Sequence, residues 1–191
     1  MLTGAILAGG QSLRYGRNKA IEPFRGERMI DRALQSLRSR CDPLLVIAND
    51  LTPYYGVKAH LLLDIRPRQG PLGGIHTALF FSPHEWVLVR ATDMPFLAPG
   101  LLEALLDRRE GCDVVVPLMG DRYEPLSALY RRSCIPAVSR VIESGKRQVI
   151  AFYDRVKVNT VPETIWRAFD PEGLSFRNVN TQDDMRDLSC I

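Results

Sequence analysis

The amino-acid sequence predicts an α/β fold in three layers, with a mostly parallel central sheet covered by helices. The prediction rests on the alternation of short apolar runs, typical of buried parallel strands, with amphipathic stretches that have a helical period. The expected strands cover residues 2–7, 43–48, 59–63, 85–90 and 112–118. Between them, apolar stripes at helical spacing predict helices over residues 29–37, 72–79 and 101–106.

The rhythm changes after Gly120, where a strand-like segment over 124–130 precedes a helix whose apolar stripe runs from Cys134 to Ile142. We expect this later segment to form an insertion or cap over the sheet and to carry a second ligand. The chain has 191 residues, without an internal repeat or a long linker. This length suits a single domain over residues 1–191.

The composition argues against several kinds of partner and site. Lys and Arg total 25 and Asp and Glu total 22, so the net charge is +3, and no block of like charge indicates nucleic acid or an acidic membrane. The scattered cysteines argue against a zinc site and against a disulfide framework; they are Cys41, Cys112, Cys134 and Cys190. The first strand follows Met1 directly, without a leader pattern or a membrane span. We therefore expect a soluble, cytoplasmic protein.

A glycine loop follows the first predicted strand, in the sequence Leu7-Ala8-Gly9-Gly10-Gln11-Ser12-Leu13-Arg14-Tyr15-Gly16-Arg17-Asn18-Lys19. Glycines let backbone N–H groups approach phosphate oxygens, and cations such as Arg14 and Lys19 can offset phosphate charge. The P-loop pattern fails because Gly10 and Gly16 are too far apart and neither Ser nor Thr follows Lys19. The dinucleotide fingerprint fails because polar residues stand where its second and third glycines belong.

The loop resembles the signature Leu-Ala-Gly-Gly-x-Ser-x-Arg-x-Gly-x-x-Lys of nucleotidyltransferases, most closely that of the molybdenum cofactor guanylyltransferases. Eight fixed positions match within thirteen residues, and Tyr15 stands where the family more often has Met. The resemblance implies a Rossmann-like nucleotidyltransferase fold, with a nucleotide-binding half over about 1–118 and a substrate-binding half over about 119–191. It also implies nucleotide contacts from Leu7, Ala8, Gly9, Gly10, Ser12 and Lys19.

Two aspartates, Asp64 and Asp93, follow predicted strands at their carboxyl ends, where ligands bind in open α/β sheets. A carboxylate there can hold Mg²⁺, and helix or turn capping is the alternative for both residues, a stronger one for Asp64 than for Asp93. The segment Thr-Asp-Met-Pro-Phe around Asp93 resembles the family's metal-binding segment. The resemblance therefore implies that Asp93 binds Mg²⁺ and nucleotide, and we expect Asp64 to bind the nucleotide.

The segment from Gln69 to Ile75 contains three glycines and begins the second predicted helix. A tight turn with Pro71 at the first helical position would explain it without a ligand. The family's similar loop holds the guanine base and ribose, and Asn49 resembles its Ala-Asn position near the base. The resemblance thus adds to the nucleotide site Asn49, Gly70, Pro71, Leu72 and Gly74.

The later half carries two further resemblances. Glu124-Pro125-Leu126-Ser127-Ala128-Leu129-Tyr130 is similar to the family's substrate motif, and Asn178-Val179-Asn180-Thr181 is similar to its Asn-x-Asn-Thr. Capping would explain the asparagines equally well. The basic residues of this half, Arg122, Lys146 and Arg147, have no glycine loop beside them and suit a pterin phosphate, although exposed basic residues are commonly just solvated. The expected substrate-binding residues are Arg122, Glu124, Pro125, Lys146, Arg147, Asn178 and Asn180.

The resemblance implies transfer of GMP from GTP to the terminal phosphate of molybdopterin, giving molybdopterin guanine dinucleotide and pyrophosphate. Arg14, Lys19 and Asp93 would be catalytic, with Mg²⁺ as cofactor. Other cofactor-biosynthesis proteins and molybdoenzyme chaperones are implied as protein partners. The alternatives are a molybdopterin cytidylyltransferase, a sugar-phosphate nucleotidyltransferase or a non-catalytic nucleotide-binding regulatory module. The Gly9-Gly10 pair favours guanine, because cytidylyl relatives commonly carry Ala-Gly there.

Overall fold

The computed structural model describes residues 1–9, 19–24, 26–179 and 184. Its strands are β1 (Thr3–Leu7), β2 (Pro23–Phe24), β3 (Glu27–Arg28), β4 (Leu44–Ala48), β5 (His60–Leu63), β6 (Trp86–Ala91), β7 (Val114–Met119), β8 (Arg122–Tyr123), β9 (Ser127–Arg131) and β10 (Val158–Val161). Its α-helices are α1 (Met29–Leu37), α2 (Pro71–Phe81), α3 (Pro99–Leu106), α4 (Ile135–Glu143) and α5 (Glu163–Trp166). Short 3-10 helices lie at Lys19–Ile21, Thr52–Tyr54, Arg132–Cys134, Val149–Arg155 and Leu174–Phe176.

The central sheet has eight strands in the order β10-β7-β9-β6-β1-β4-β5, and β8 pairs with the end of β7. Strand β1 runs parallel to β4 and β6, β4 runs parallel to β5, and β10 runs parallel to β7. Strand β9 is antiparallel to both of its neighbours, β6 and β7. The mostly parallel sheet expected from the apolar runs is confirmed.

Our expectation that the later segment caps the sheet is wrong, because β9 lies inside the sheet between β6 and β7. The strand is apolar on both faces: Leu129 belongs to one hydrophobic core, and Ala128 and Tyr130 belong to the other. The place between β6 and β7, with helices above and below the sheet, buries both faces of such a strand. The chain after Gly120 therefore completes the sheet.

Two hydrophobic cores, one on each face of the sheet, give the three layers. Along β1, Ala5 contributes to one core and Ile6 to the other, as the alternation of side chains along a strand requires. Helices α1, α3 and α5 supply the core that contains Ile6. Helices α2 and α4, which pack against each other, supply the core that contains Ala5. Because both faces are covered, the three-layer α/β architecture is confirmed.

The carboxyl ends of the parallel strands meet at one edge of the sheet, and β9 begins at that edge because Ser127 pairs with Arg90. Strand β10 was not expected, since its Val-Asn-Thr-Val sequence is short and half polar. The β2–β3 pair was also missed, because it has only two residues on each side. Among the helices in the described ranges, none is long and apolar enough to cross a membrane.

Candidate functional site

The end of β1 is joined to β4 and to the segment that follows β4. The Ala8 amide donates a hydrogen bond of 2.8 Å to the Ile47 carbonyl, and the buried Tyr54 hydroxyl donates one of 2.8 Å to the Ala8 carbonyl. A Cβ atom added at Gly9 would lie 3.1 Å from Asn49 Nδ2. The start of the glycine loop and the Asn49 side chain are therefore neighbours at the carboxyl edge.

The end of β6 is held against the end of β1 by Thr92. Its amide and its hydroxyl both donate hydrogen bonds to the Leu7 carbonyl, at 3.2 and 2.8 Å. Asp93 comes next and is half-buried, and its carbonyl accepts a 2.8 Å hydrogen bond from the Val179 amide. The structure thus brings the Asp93 segment, the start of the glycine loop and the C-terminal segment together.

Helix α2 begins at the same edge, with Gly70 at its N-cap and Pro71 at its first position. Gly70 has φ of 62°, a conformation that favours glycine. A Cβ at Gly74 would lie 2.9 Å from Leu7 Cδ2, so the first turn of α2 packs directly against the end of β1. The helix N-terminus therefore adds a favourable dipole for an anion beside the start of the glycine loop.

Asp64 accepts hydrogen bonds within the loop that leads into α2 and from α2 itself. Its Oδ1 atom accepts hydrogen bonds from the Thr77 hydroxyl at 2.7 Å and from the Arg66 amide at 2.9 Å. The Thr77 oxygen in turn accepts a 3.1 Å hydrogen bond from the Ile65 amide. These contacts form the turn cap that is the alternative to a ligand-binding role for Asp64. A nucleotide contact from this residue stays a prediction.

Arg90 is a residue of the site that sequence reasoning missed. The side chain is fully buried in β6, and Nη2 donates hydrogen bonds to the Met94 carbonyl, at 3.0 Å, and to the Phe96 carbonyl. Nη1 donates to the Ser127 hydroxyl. Burial lowers the pKa of Arg90 to about 10, opposed by the nearby carboxylates of Asp170 and Asp93. An arginine inside an otherwise apolar strand was the available signal.

Asp170 is a second buried group that the sequence did not single out. Its carboxylate accepts hydrogen bonds from the Leu174 amide at 2.8 Å and the Ser175 amide at 2.7 Å. The Ser175 hydroxyl oxygen accepts a 2.9 Å hydrogen bond from the Ala98 amide. Together with the bond from Val179 to Asp93, these contacts hold residues 170–179 along the 93–98 segment.

The Glu124-Pro125 turn lies beside the carboxyl ends of β6 and β7. The Glu124 amide donates a 2.9 Å hydrogen bond to the Pro117 carbonyl, and the Tyr130 hydroxyl donates one of 2.7 Å to the Pro125 carbonyl. Tyr130 also shares a 2.9 Å hydrogen bond with the Tyr153 hydroxyl beneath the turn. Partial burial raises the pKa of Glu124, against the opposing charge of Arg122.

The remaining expected substrate residues are exposed. Arg122 pairs with Met119 at the carboxyl end of β7, and Asn178 precedes the Val179 contact with Asp93. Lys146 and Arg147 follow α4. Outside the described residues lie Gly10, Ser12, Arg14 and Asn180, and so does the side chain of Lys19.

The described part of the edge combines a glycine-containing strand end, a helix N-terminus and a half-buried carboxylate. Such an arrangement can bind a phosphate-bearing ligand and hold an oxygen-ligated cation beside it. Across the residues that the structure describes, no cluster of three or more Asp, Glu, His or Cys side chains forms a self-contained metal site.

Comparisons with known proteins agree with this geometry. The family model "MobA-like NTP transferase domain" matches residues 4–158. A molybdenum cofactor guanylyltransferase from Desulfosudis oleivorans is 38% identical over 96% of this chain and 92% of its own. A probable molybdenum cofactor guanylyltransferase from Pelotomaculum thermopropionicum is 37% identical, over 96% and 89%.

A solved structure supports the same assignment. The crystal structure of molybdopterin-guanine dinucleotide biosynthesis protein A from Archaeoglobus fulgidus is 31% identical, with a TM-score of 0.83 over 99% of this chain and 97% of its own. The match covers both the early glycine-bearing strands and the later segment that completes the sheet. The chain therefore belongs to the MobA-like NTP transferase family and, within it, to the molybdenum cofactor guanylyltransferases.

Proposed function

We propose that the protein transfers GMP from GTP to the terminal phosphate of molybdopterin. A phosphate oxygen of molybdopterin attacks the α-phosphorus of GTP, the bond from that phosphorus to the bridging oxygen breaks, and pyrophosphate leaves. The product is molybdopterin guanine dinucleotide. The attacking oxygen is already anionic, so the chain has to position the two phosphates and neutralise their charge, and a general base is not needed.

One observation carries the proposal. Three features of a chain that belongs to the guanylyltransferase family converge on Leu7: the Thr92 hydrogen bonds to its carbonyl, the packing of Gly74 against its side chain, and the start of the glycine loop. The start of the loop, the Asp93 segment and the N-terminus of α2 are thereby held side by side. This is the juxtaposition that a nucleoside triphosphate needs, with its base, its phosphates and a carboxylate-bound cation within one ligand's length.

The expected nucleotide contacts follow from this placement. Gly9 and Asn49 lie together, and the turn at Gly70–Leu72 presents backbone groups that can read the edge of guanine. Asp64 keeps that turn in shape through Thr77. The phosphates would run from the start of the glycine loop toward Lys19, whose charge opposes the negative charge that grows on pyrophosphate as it departs.

Mg²⁺ is part of the proposal. The donor set fits this ion, because Mg²⁺ in nucleotide sites takes one or two carboxylates and completes its coordination with phosphate oxygens and water. Asp93 would hold the ion, and the hydrogen bonds around Thr92 and Val179 keep the Asp93 backbone in place. When bound, Mg²⁺ would neutralise phosphate charge during the transfer.

We assign the pterin to the later half of the chain, about residues 119–191, and the nucleotide mainly to residues 1–118. The division is supported by the placement of Arg122 and the Glu124-Pro125 turn at the same edge, with β6 between them and the strand that leads into the glycine loop. Lys146 and Arg147 add positive charge from the end of α4. We place the reaction in the cytoplasm, with other cofactor-biosynthesis proteins and molybdoenzyme chaperones as partners.

The test is an assay of pyrophosphate release from purified protein with molybdopterin, Mg²⁺ and each common nucleoside triphosphate in turn. We expect turnover with GTP, and a loss of kcat of about 10²-fold or more in Lys19→Ala, the scale seen when one electrostatic stabiliser is removed. Turnover with CTP instead would support the cytidylyl alternative. GTP binding without turnover would support the regulatory module.

A further inference from the structure

The buried guanidinium of Arg90 is more than a core residue, because each hydrogen bond it makes reaches a segment of the proposed site. Nη2 donates to the carbonyls of Met94 and Phe96, which follow Asp93, and Nη1 donates to the hydroxyl of Ser127. The side chain has 0% exposure, and its Nε–H has no hydrogen-bond partner within the described ranges. Burying a charged group with one donor unpaired is costly. The sheet would accept an aliphatic residue at this position without that cost.

The acceptors of Arg90 belong to the two halves of the proposed site. Met94 and Phe96 lie in the irregular segment between β6 and α3, where neither a strand nor a helix supplies regular backbone pairing. Ser127 begins β9, and its amide donates a 3.1 Å hydrogen bond to the Glu124 carbonyl. The planar guanidinium of Arg90 therefore bonds both the Asp93 segment and the Glu124–Ser127 turn. Because its N–H groups point in fixed directions, it sets the position of one segment relative to the other.

The electrostatic surroundings point the same way. The carboxylates of Asp93 and Asp170 both interact favourably with the Arg90 charge. Asp170 also accepts hydrogen bonds from the Leu174 and Ser175 amides. The C-terminal strap, defined as residues 170–179 along residues 93–98, is therefore linked through Asp170 to the charge of Arg90. Arg90 is thus the shared neighbour of the metal-binding segment, the substrate turn and the strap.

We infer that Arg90 is a positioning residue for GMP transfer, which sets the Asp93 segment and the Glu124–Ser127 turn at the separation that the reaction needs. The inference rests on the proposed function. Arg90 lies beneath the site and acts through the backbone of residues 94–96 and through Ser127. A displacement of about 1 Å at a reacting centre can cost about 10²-fold in rate, so losing this brace should reduce kcat far more than it reduces stability.

The experiment compares Arg90→Met, which removes the donors, with Arg90→Lys, which keeps the charge without the fork, and Ser127→Ala, which removes one arm. The matched control is Ser82→Ala, because Ser82 is also buried and its hydroxyl bonds Thr3 at 2.7 Å, at the amino edge of the sheet. Melting temperatures identify the folded variants. The readouts are kcat, the KM for molybdopterin, binding of Mn²⁺·GTP by electron paramagnetic resonance, and hydrogen exchange over residues 92–98 and 124–127.

We expect Arg90→Met and Arg90→Lys to lower kcat by about 10- to 100-fold and to weaken Mn²⁺·GTP binding. Hydrogen exchange should be faster in both segments. Ser127→Ala should raise the KM for molybdopterin while Mn²⁺·GTP binding stays close to that of the parent. Ser82→Ala should lose melting temperature with kcat and exchange at the site unchanged. If Arg90→Met does not fold, Arg90→Lys and Ser127→Ala decide the question.

Folded Arg90 variants with parental kcat, Mn²⁺·GTP binding and exchange rates would overturn the inference. Equal losses of kcat in Ser82→Ala would also overturn it, because the effect would then follow stability alone. The proposed function fails in a different way, namely absence of GMP transfer in the parent protein. In that case Mn²⁺·GTP binding and hydrogen exchange still show whether Arg90 braces the two segments.

Discussion

Gly73 offers a sharp test of the proposed base-binding turn, because the structure leaves no space for a methyl group at this position. A Cβ there would lie 2.8 Å from Asp64 Oδ2 and closer still to the Arg66 carbonyl oxygen. Optimal contacts are about 3.5 Å or more, so Gly73→Ala must push the loop before α2 outward by roughly 1 Å. The Arg66 carbonyl oxygen belongs to the backbone, which cannot rotate away from the new methyl group as a side chain can.

The expected change in stability is small, whereas the expected change in binding is large. Overpacking costs about 1–3 kcal/mol, and alanine regains about 1 kcal/mol of helix propensity over glycine. The net loss of about 0–2 kcal/mol corresponds to a fall in melting temperature of at most about 8 °C. Affinity for GTP·Mg²⁺ should fall by about tenfold or more, or about 1.4 kcal/mol, as measured by calorimetric titration.

Gly100→Ala is the matched control. Gly100 is the second residue of α3, as Gly73 is the third residue of α2, and its added Cβ would also collide, 2.7 Å from Phe169 Cβ and closer to the ring. The Phe169 ring is 50% exposed and can rotate into solvent, whereas its Cβ atom can move only with the backbone after α5, which is not part of the turn at Gly70–Leu72. We therefore expect unchanged GTP affinity in Gly100→Ala. GTP affinity within twofold of the parent in Gly73→Ala would refute the placement of the nucleotide at this turn.

Three further predictions test the metal site, the substrate half and the buried acid. Asp93→Asn is nearly isosteric and should stay folded, with a lower melting temperature because Arg90 loses one of two nearby carboxylates, while losing Mg²⁺-dependent turnover; an unchanged Mg²⁺ titration would remove Asp93 from the metal site. Combining Arg122→Ala, Lys146→Ala and Arg147→Ala should raise the KM for molybdopterin several-fold, and a tenfold loss of GTP affinity by calorimetry would contradict the assignment of these residues. Because partial burial raises the pKa of Glu124 in the folded state, its ionisation costs stability as pH rises through that pKa. Glu124→Gln should therefore melt above the parent at pH 7 and level with it below the ordinary pKa of 4.5; equal melting temperatures throughout would count against the effect of burial.

The strands that sequence reasoning predicted well are those whose residues are apolar on both faces. Strand β6 is the clearest case, because a run such as Trp86–Val89 is buried wherever the strand lies in a covered sheet. Position within the sheet is a different matter. Apolar periodicity records burial and carries no information on partners, so the place of β9 between β6 and β7 could not be predicted from its own sequence.

The two strand-end aspartates show a similar limit within the site. In the sequence, Asp64 and Asp93 are alike because each follows a predicted strand. In the fold, however, one oxygen of Asp64 accepts a hydrogen bond from the Thr77 hydroxyl on the following helix. Arg90 was visible as a charge in an apolar strand, but one of its acceptors, Ser127, lies 37 residues away. Roles that depend on such long-range pairs follow from the fold, whereas the sequence alone suggests the glycine loop and Asp93 because their motifs are local, and their roles stay predictions.

A competition between nucleotides tests directly whether the protein transfers GMP from GTP to molybdopterin. Purified protein is incubated with molybdopterin, Mg²⁺ and equimolar GTP and CTP, and the dinucleotide product is identified by mass spectrometry. We expect molybdopterin guanine dinucleotide, formed in step with pyrophosphate and lost in Asp93→Asn. A predominantly cytidine product, or pyrophosphate released without any pterin dinucleotide, would contradict it.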